Sequence, residues 1–287
     1  MDQDYKDFEF DPEQHLILVS KQEDDEIDLF MCALAFSALD HEGVHLQRYI
    51  HHIETLTRDV KSHYESLLKK DYQDGASLRI RALRDVLVDD YGYIGDAQNY
   101  DNLQNASLIH VIDRAKGLPV ALSILYISVA SRLGWDVVGL RFPGHFLCRI
   151  EKAGERIIFD PFSAAQYMDA ASLRQLLKTS LGPSAELSSS FYEPATSREI
   201  LIRLENNLKS RKIEAEDYKG ALKHVLRMIK IAPKDFRLEF DAGVLFARVE
   251  QTQAAIKHLS LYLEKAPNGH HKHDAELLLI ELRQSLN

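Results

Sequence analysis

Apolar positions in the first third of the chain recur mostly at three- and four-residue spacing. The run IDLFMCALAFSA from Ile27 to Ala38 has helical composition, and from Val44 to Leu68 the positions Leu46, Tyr49, Ile50, Ile53, Leu56, Val60 and Leu67 mark the buried stripe of a packing helix. The segment SLRIRALRDVLVDDYGYIGD (77–96) predicts an amphipathic helix closing in a turn, where Gly92 and Gly95 supply backbone freedom that a continuing helix would not need. Asn105 is placed to cap the next helix, ASLIHVIDRAK, with its side-chain oxygen, and Gly117 is the stop. Pro119 opens a further helix, because its fixed φ and missing donor are harmless in a first turn; this helix runs to about Leu133 and ends at Gly134.

Beyond Gly134 the period shortens. DVVGLRF, HFLCRIE and RIIFDP alternate or run apolar, separated by Pro143-Gly144 and Ala153-Gly154, which predicts a small antiparallel meander after a buried helix. The C-terminal third changes again. Residues 216–233 (EDYKGALKHVLRMIKIAP) match 250–267 (EQTQAAIKHLSLYLEKAP) at Glu216/Glu250, Ala221/Ala255, Lys223/Lys257, His224/His258, Ala232/Ala266 and Pro233/Pro267. Every match lies 34 residues apart, and the same offset pairs Arg203-Leu204-Glu205 with Arg237-Leu238-Glu239. That is the tetratricopeptide period of two antiparallel helices, with Gly243, Phe246, Ala255 and Pro267 at its small, aromatic, small and terminating positions. Two hairpins and a closing helix from about Lys272 to Leu286 fall short of the three repeats that stabilise a free solenoid, so they are expected to pack against the N-terminal domain.

Length and composition sharpen the picture without redirecting it. A chain of 287 residues, 45% hydrophobic, is expected to form two domains, residues 1–195 and 196–287. A net charge of −9 argues against a broad nucleic-acid surface, since phosphate binding needs clustered cations not offset by carboxylates. The acidic opening MDQDYKDFEFDPEQ lacks the basic start and apolar stretch of a signal peptide, so a cytoplasmic location is expected. LPVALSILYISVASRL (118–133) is interrupted by serines and reads as a buried helix, not a membrane span. Cys32 and Cys148 are too few for a disulfide framework or a thiolate zinc site and read as buried thiols. His41 and His45, and the adjacent His51 and His52, read as a solvated histidine-rich face, and GHHKH (269–273) as a polar loop; neither has metal-ligand spacing, and no cofactor is implied.

One stretch carries candidate chemistry. In RFPGHFLCRI, His145 opens a predicted strand, and Asp160 closes a neighbouring one fifteen residues on. A carboxylate beside an imidazole fixes its tautomer and steadies its protonated form. Three roles remain open for His145: a structural tie to Asp160, a contact to a ligand or peptide, and catalysis.

A glycine-preceded buried helix, a strand opening with His and a strand closing with Asp resemble the transglutaminase and papain-like core. More closely, GYIGD, NASLIHVIDRAKGLPVALSILY, PGHF and DPF resemble the bacterial SirB-type, transglutaminase-like family, over about residues 30–270. The resemblance implies an α+β, mostly helical fold: a buried helix with a small antiparallel sheet, followed by tetratricopeptide-like hairpins. It also implies His145 as base, Asp160 as its orienter, and a cleft lined by Pro119, Val120 and Gly144, with the nucleophilic cysteine's place near Pro119. No cysteine stands there. Ser123, one turn into the helix, is the residue aligned to substitute, with an intrahelical hydroxyl bond as the alternative. Two functions follow: a catalytically degenerate interaction protein that binds a peptide or protein partner, and a hydrolase or acyl/amide transferase using Ser123 or a remote thiol with His145 and Asp160.

Overall fold

A computed structural model describes residues 10–285 apart from 42, 71 and 268. Most of the acidic opening segment and the end of the closing helix therefore lie outside the described residues. The chain divides into two compact units, one formed by residues up to His15 with Glu23–Ile200, the other by Leu16–Gln22 with Leu201 onward.

α1 (Pro12–Val19) is divided between the two units; in the first, α2 (Leu29–Ala38), α3 (Gln47–Leu68) and α4 (Ala76–Arg84) precede a short parallel pair, β1 (Ile94–Gly95) with β2 (Lys116–Gly117). Between the paired strands lies α5 (Leu108–Arg114), and after them α6 (Pro119–Arg132). α6 organises the unit: Leu122, Ile124, Leu125, Tyr126 and Val129 are all essentially inaccessible. A helix apolar all round is stable only when enclosed, and α2, α3, α5 and β3 (Asp136–Gly139) enclose this one. Pro119 occupies its first turn, and Gly134, at φ +67°, ends it by letting the Trp135 N–H reach the Ala130 carbonyl at 2.9 Å. β3, β4 (Cys148–Lys152), β5 (Glu155–Asp160) and β6 (Gln166–Tyr167) form an antiparallel sheet in sequence order, with Cys148 opposite Phe159. α7 (Ala170–Leu181) follows, and its Leu173 and Leu177 pack with Leu140, Phe142 and Leu147.

The second unit holds α9 (Tyr218–Ile231), α10 (Arg237–Arg248), α11 (Thr252–Lys265) and α12 (His270–Gln284), preceded by α8 (Ser197–Glu214), most of which belongs to it. The 34-residue match has a physical basis. In one hairpin Glu205 Oε2 pairs with His224 Nδ1 at 2.9 Å, and in the next Glu239 Oε2 pairs with His258 Nδ1 at 2.6 Å. Each repeat thus copies a glutamate–histidine bond between its two helices, fully buried in the first and partly buried in the second. No helix among the described residues is long and apolar enough to cross a membrane.

Several local expectations are corrected. The helix of 77–96 continues past α4 as a π-helix over Asp85–Asp90 and closes in a turn at Tyr91 and Gly92 as expected, but Ile94–Gly95 then pairs as a strand. Gly92 does sit at positive φ, whereas Gly95 is required for space, since a Cβ there would strike the Phe162 ring. Asn105 does not cap α5. Its side chain is buried among polar partners, and the Leu108 N–H is instead taken by Ser37 Oγ of α2 at 2.7 Å. Ala115, in the left-handed region, ends α5 ahead of Gly117. His145 lies in a bend before β4 and does not open it. His52 is turned inward onto the Tyr93 hydroxyl at 2.7 Å, and His41 Nε2 faces His110 Nε2 at 2.8 Å, so this histidine-rich face is not simply solvated. His270 to His273 begin α12 and are not loop.

Candidate functional site

The segments GYIGD, RAKGLP, PGHF and DPF, far apart in sequence, are gathered in the first unit around the N-terminus of α6. Asp160 ends β5 and caps the single 3₁₀ turn Pro161–Ser163: its Oδ1 accepts from the Phe162 N–H at 2.9 Å and its Oδ2 from Ser163 Oγ at 2.8 Å. The same Oδ1 lies 3.0 Å from His145 Nε2, and the two side chains are 5% and 13% exposed. Three donors therefore hold one buried carboxylate, and the imidazole is oriented by a group that is itself rigid. The carboxylate bond places a proton on Nε2 and gives Nδ1 the acceptor role in the neutral ring.

An aromatic ring abuts the pair on one side. Phe162 meets the His145 ring edge-on at 6.0 Å, and Tyr100 meets Phe162 at 5.7 Å. Phe162 lies over Gly95 of β1, which explains why only glycine fits at that position. Gly144, before His145, has φ +73°, and a Cβ there would strike Ser180 of α7. Any side chain at 144 would be both strained and obstructed, so the bend carrying His145 depends on glycine.

Pro119 and Val120 are buried at the first turn of α6. Ser123 is fully buried, and its hydroxyl donates to the Pro119 carbonyl at 2.7 Å, the intrahelical bond that a serine one turn into a helix makes by default. The structure thus brings His145 and Asp160 together and commits Ser123 to the backbone of its own helix. Neither cysteine forms a disulfide, and both are fully buried. Burial pushes the Cys148 thiol up to about 12, against the opposing influence of the neighbouring Ser123 hydroxyl.

A polar brace beside α6 went unread in the sequence. Arg114 Nη2 donates to Asp96 Oδ2 at 2.7 Å and its Nη1 to Asn105 Oδ1 at 2.9 Å. Asn105 Nδ2 reaches the Asn99 carbonyl at 2.7 Å, while the Asn105 carbonyl accepts the Leu118 N–H at 2.8 Å. Leu118 is the residue that leads into α6, so the brace fixes the approach to the helix tip. Burial alone would raise the Asp96 carboxyl, but the Arg114 guanidinium and the Asn99 N–H outweigh it and hold it below the ordinary range. The available signal was an aspartate, an asparagine and an arginine in segments otherwise read as turn and cap.

Comparison with known proteins agrees with this layout. The family model of the transglutaminase-like superfamily matches residues 47–206, and a tetratricopeptide repeat model matches residues 208–283. A UPF0162 protein of Xylella fastidiosa is 30% identical over 196 residues, covering 67% of this chain and 70% of that protein. A UPF0162 protein of Vibrio cholerae is 28% identical over 212 residues, covering 74% and 72%. Protein SirB1 of Salmonella typhimurium is 26% identical over 217 residues, covering 75% and 78%.

Proposed function

The chain belongs to the transglutaminase-like superfamily, and from that premise we propose that it is an interaction protein whose transglutaminase-like site no longer performs acyl transfer and instead binds an extended peptide of a protein partner. The observation that carries this reading is the composition of the α6 tip. Pro119 has no reactive side chain, Ser123 spends its proton on the Pro119 carbonyl, and the two thiols are sealed in the core. On this reading the oriented imidazole serves as a hydrogen-bonding group. Beside it, Phe162 and the Tyr100 ring that packs on Phe162 add aromatic surface, so a peptide meets a polar anchor next to an aromatic pair, the composition of a recognition site. The tetratricopeptide unit adds a second peptide-binding surface of the kind such repeats present. The net charge of −9 favours a protein partner over nucleic acid, and the bacterial cytoplasm is the setting of this reading.

The test is a peptide array probed with the intact chain, with the strongest peptides re-measured in solution against His145→Ala and Phe162→Ala. A shared set of peptides, each weakened about tenfold by either substitution, is the expected outcome. Peptides that bind all three proteins equally, or no peptide at all, would remove the reading.

A further inference from the structure

The short parallel pair beside the candidate site uses one edge of β1 and leaves the other open. In a parallel pair, alternate residues of a strand turn their backbone groups toward the neighbour, and the residue between them turns its own away. On β1 the Ile94 N–H donates to the Ala115 carbonyl at 3.1 Å and the Asp96 N–H to the Gly117 carbonyl at 3.3 Å. The N–H and C=O of Gly95, between them, therefore point away from β2. No strand pairs with that edge among the described residues, and Gly95 is half-buried next to an Ile94 that is 39% exposed. A donor and an acceptor side by side on an open edge form a template for an added strand.

This edge adjoins the histidine. Phe162 stands where a Gly95 side chain would project, and its ring lies 6.0 Å from that of His145 and 5.7 Å from that of Tyr100. Side chains project out of the plane in which a strand bonds its neighbours, so Phe162 stands over the face of β1 and not across its edge.

We infer that an extended segment of a partner protein adds to β1 as an antiparallel strand and exchanges both backbone bonds with Gly95. The inference rests on the reading of this site as a peptide site and states how the peptide is held. One open residue offers both groups, and only in an antiparallel pair does a single opposing residue meet both. That residue is not proline, which lacks the N–H. Its side chain falls on the Phe162 face, where an aromatic group packs, and the next residue falls opposite Ile94 on the other face, where a β-branched apolar group fits. The recognised segment is thus an aromatic residue followed by a β-branched one.

Amide exchange followed by NMR tests the edge by itself. In the free full chain the Gly95 N–H should exchange about tenfold or more faster than those of Ile94 and Asp96. Equal protection of the three overturns the proposal, as does Gly95 protection that rises with protein concentration, since the occupant would then be a second copy. The binding probe is the amidated pentapeptide TTFVT, labelled at its N-terminus for fluorescence anisotropy. Saturable binding that slows Gly95 exchange is expected. Methylating the phenylalanine nitrogen should weaken binding about tenfold, whereas methylating the valine nitrogen, whose N–H points away from β1, should change it less than about threefold. No saturable binding, or equal effects of the two methylations, overturns the added strand. Binding weakened by His145→Ala but indifferent to both methylations removes the strand and keeps the peptide site; binding that needs the phenylalanine N–H but ignores His145→Ala keeps the strand and removes His145 as anchor.

Discussion

Replacing Arg114 by Met keeps most of the side chain's volume and removes only the guanidinium. Asp96, 2% exposed, then keeps the Asn99 N–H at 3.2 Å and loses its 2.7 Å charged partner. Stranding one member of a buried ion pair costs about 3 to 5 kcal/mol, and because Arg114 is itself partly exposed and water can enter, the lower end applies. Asn105 Oδ1 loses its donor as well, worth about 1 kcal/mol, for a total near 4 kcal/mol. For a unit of this size that lowers the melting temperature by about 10 °C. Urea denaturation of the wild type, Arg114→Met, Asp96→Asn and the double variant measures the coupling directly, and about 2 kcal/mol is expected between the two sites. The sign with pH follows from the Asp96 carboxyl lying below its ordinary value. Its contribution is complete above the unfolded value near 4 and is lost as pH falls through the lower folded value. A cost under about 1 kcal/mol for Arg114→Met, or a coupling indistinguishable from zero, would refute the brace.

Three further outcomes are expected. Ser37→Ala should destabilise by about 1 to 2 kcal/mol in urea, although the residue is seventy-one positions from the helix start it caps, because it removes the partner of the Leu108 N–H. His15, His52 and His110 are each held below the usual histidine value, chiefly by burial, so the unfolded chain binds more protons than the folded one. Stability should be complete above about pH 6.5 and fall as pH drops further, and a midpoint rising on acidification would contradict this. Cys32 and Cys148 should react with a disulfide reagent only as fast as the protein unfolds, measured by absorbance with and without urea; fast native labelling would mean an accessible thiol.

What the sequence made legible is what repeats or alternates. The 34-residue offset was readable because each hairpin needs the same small, apolar and glutamate–histidine positions to close, and the residues so matched are those that bond, Glu205 with His224 and Glu239 with His258. The mostly apolar run of α6, broken only by small serines before Arg132, was readable because an enclosed helix tolerates it. Contacts that depend on three-dimensional convergence were not. Asn105 has the residue type of a cap, but the cap of α5 comes from Ser37 on another helix, and local sequence carries no mark of that exchange. Gly95 looked like a turn glycine and proved to be a clearance for Phe162. At the candidate site, His145 reaches Asp160 from a bend and not from a strand, and strand alternation cannot encode such a position.

The central claim, that this transglutaminase-like site binds without reacting, is tested most directly by mass spectrometry of the intact chain incubated with a glutamine-containing peptide mixture, an amine donor and water as acceptors. The account predicts no deamidated, cross-linked or hydrolysed product beyond that formed by His145→Ala. Product that accumulates with the wild type and disappears with His145→Ala would contradict it.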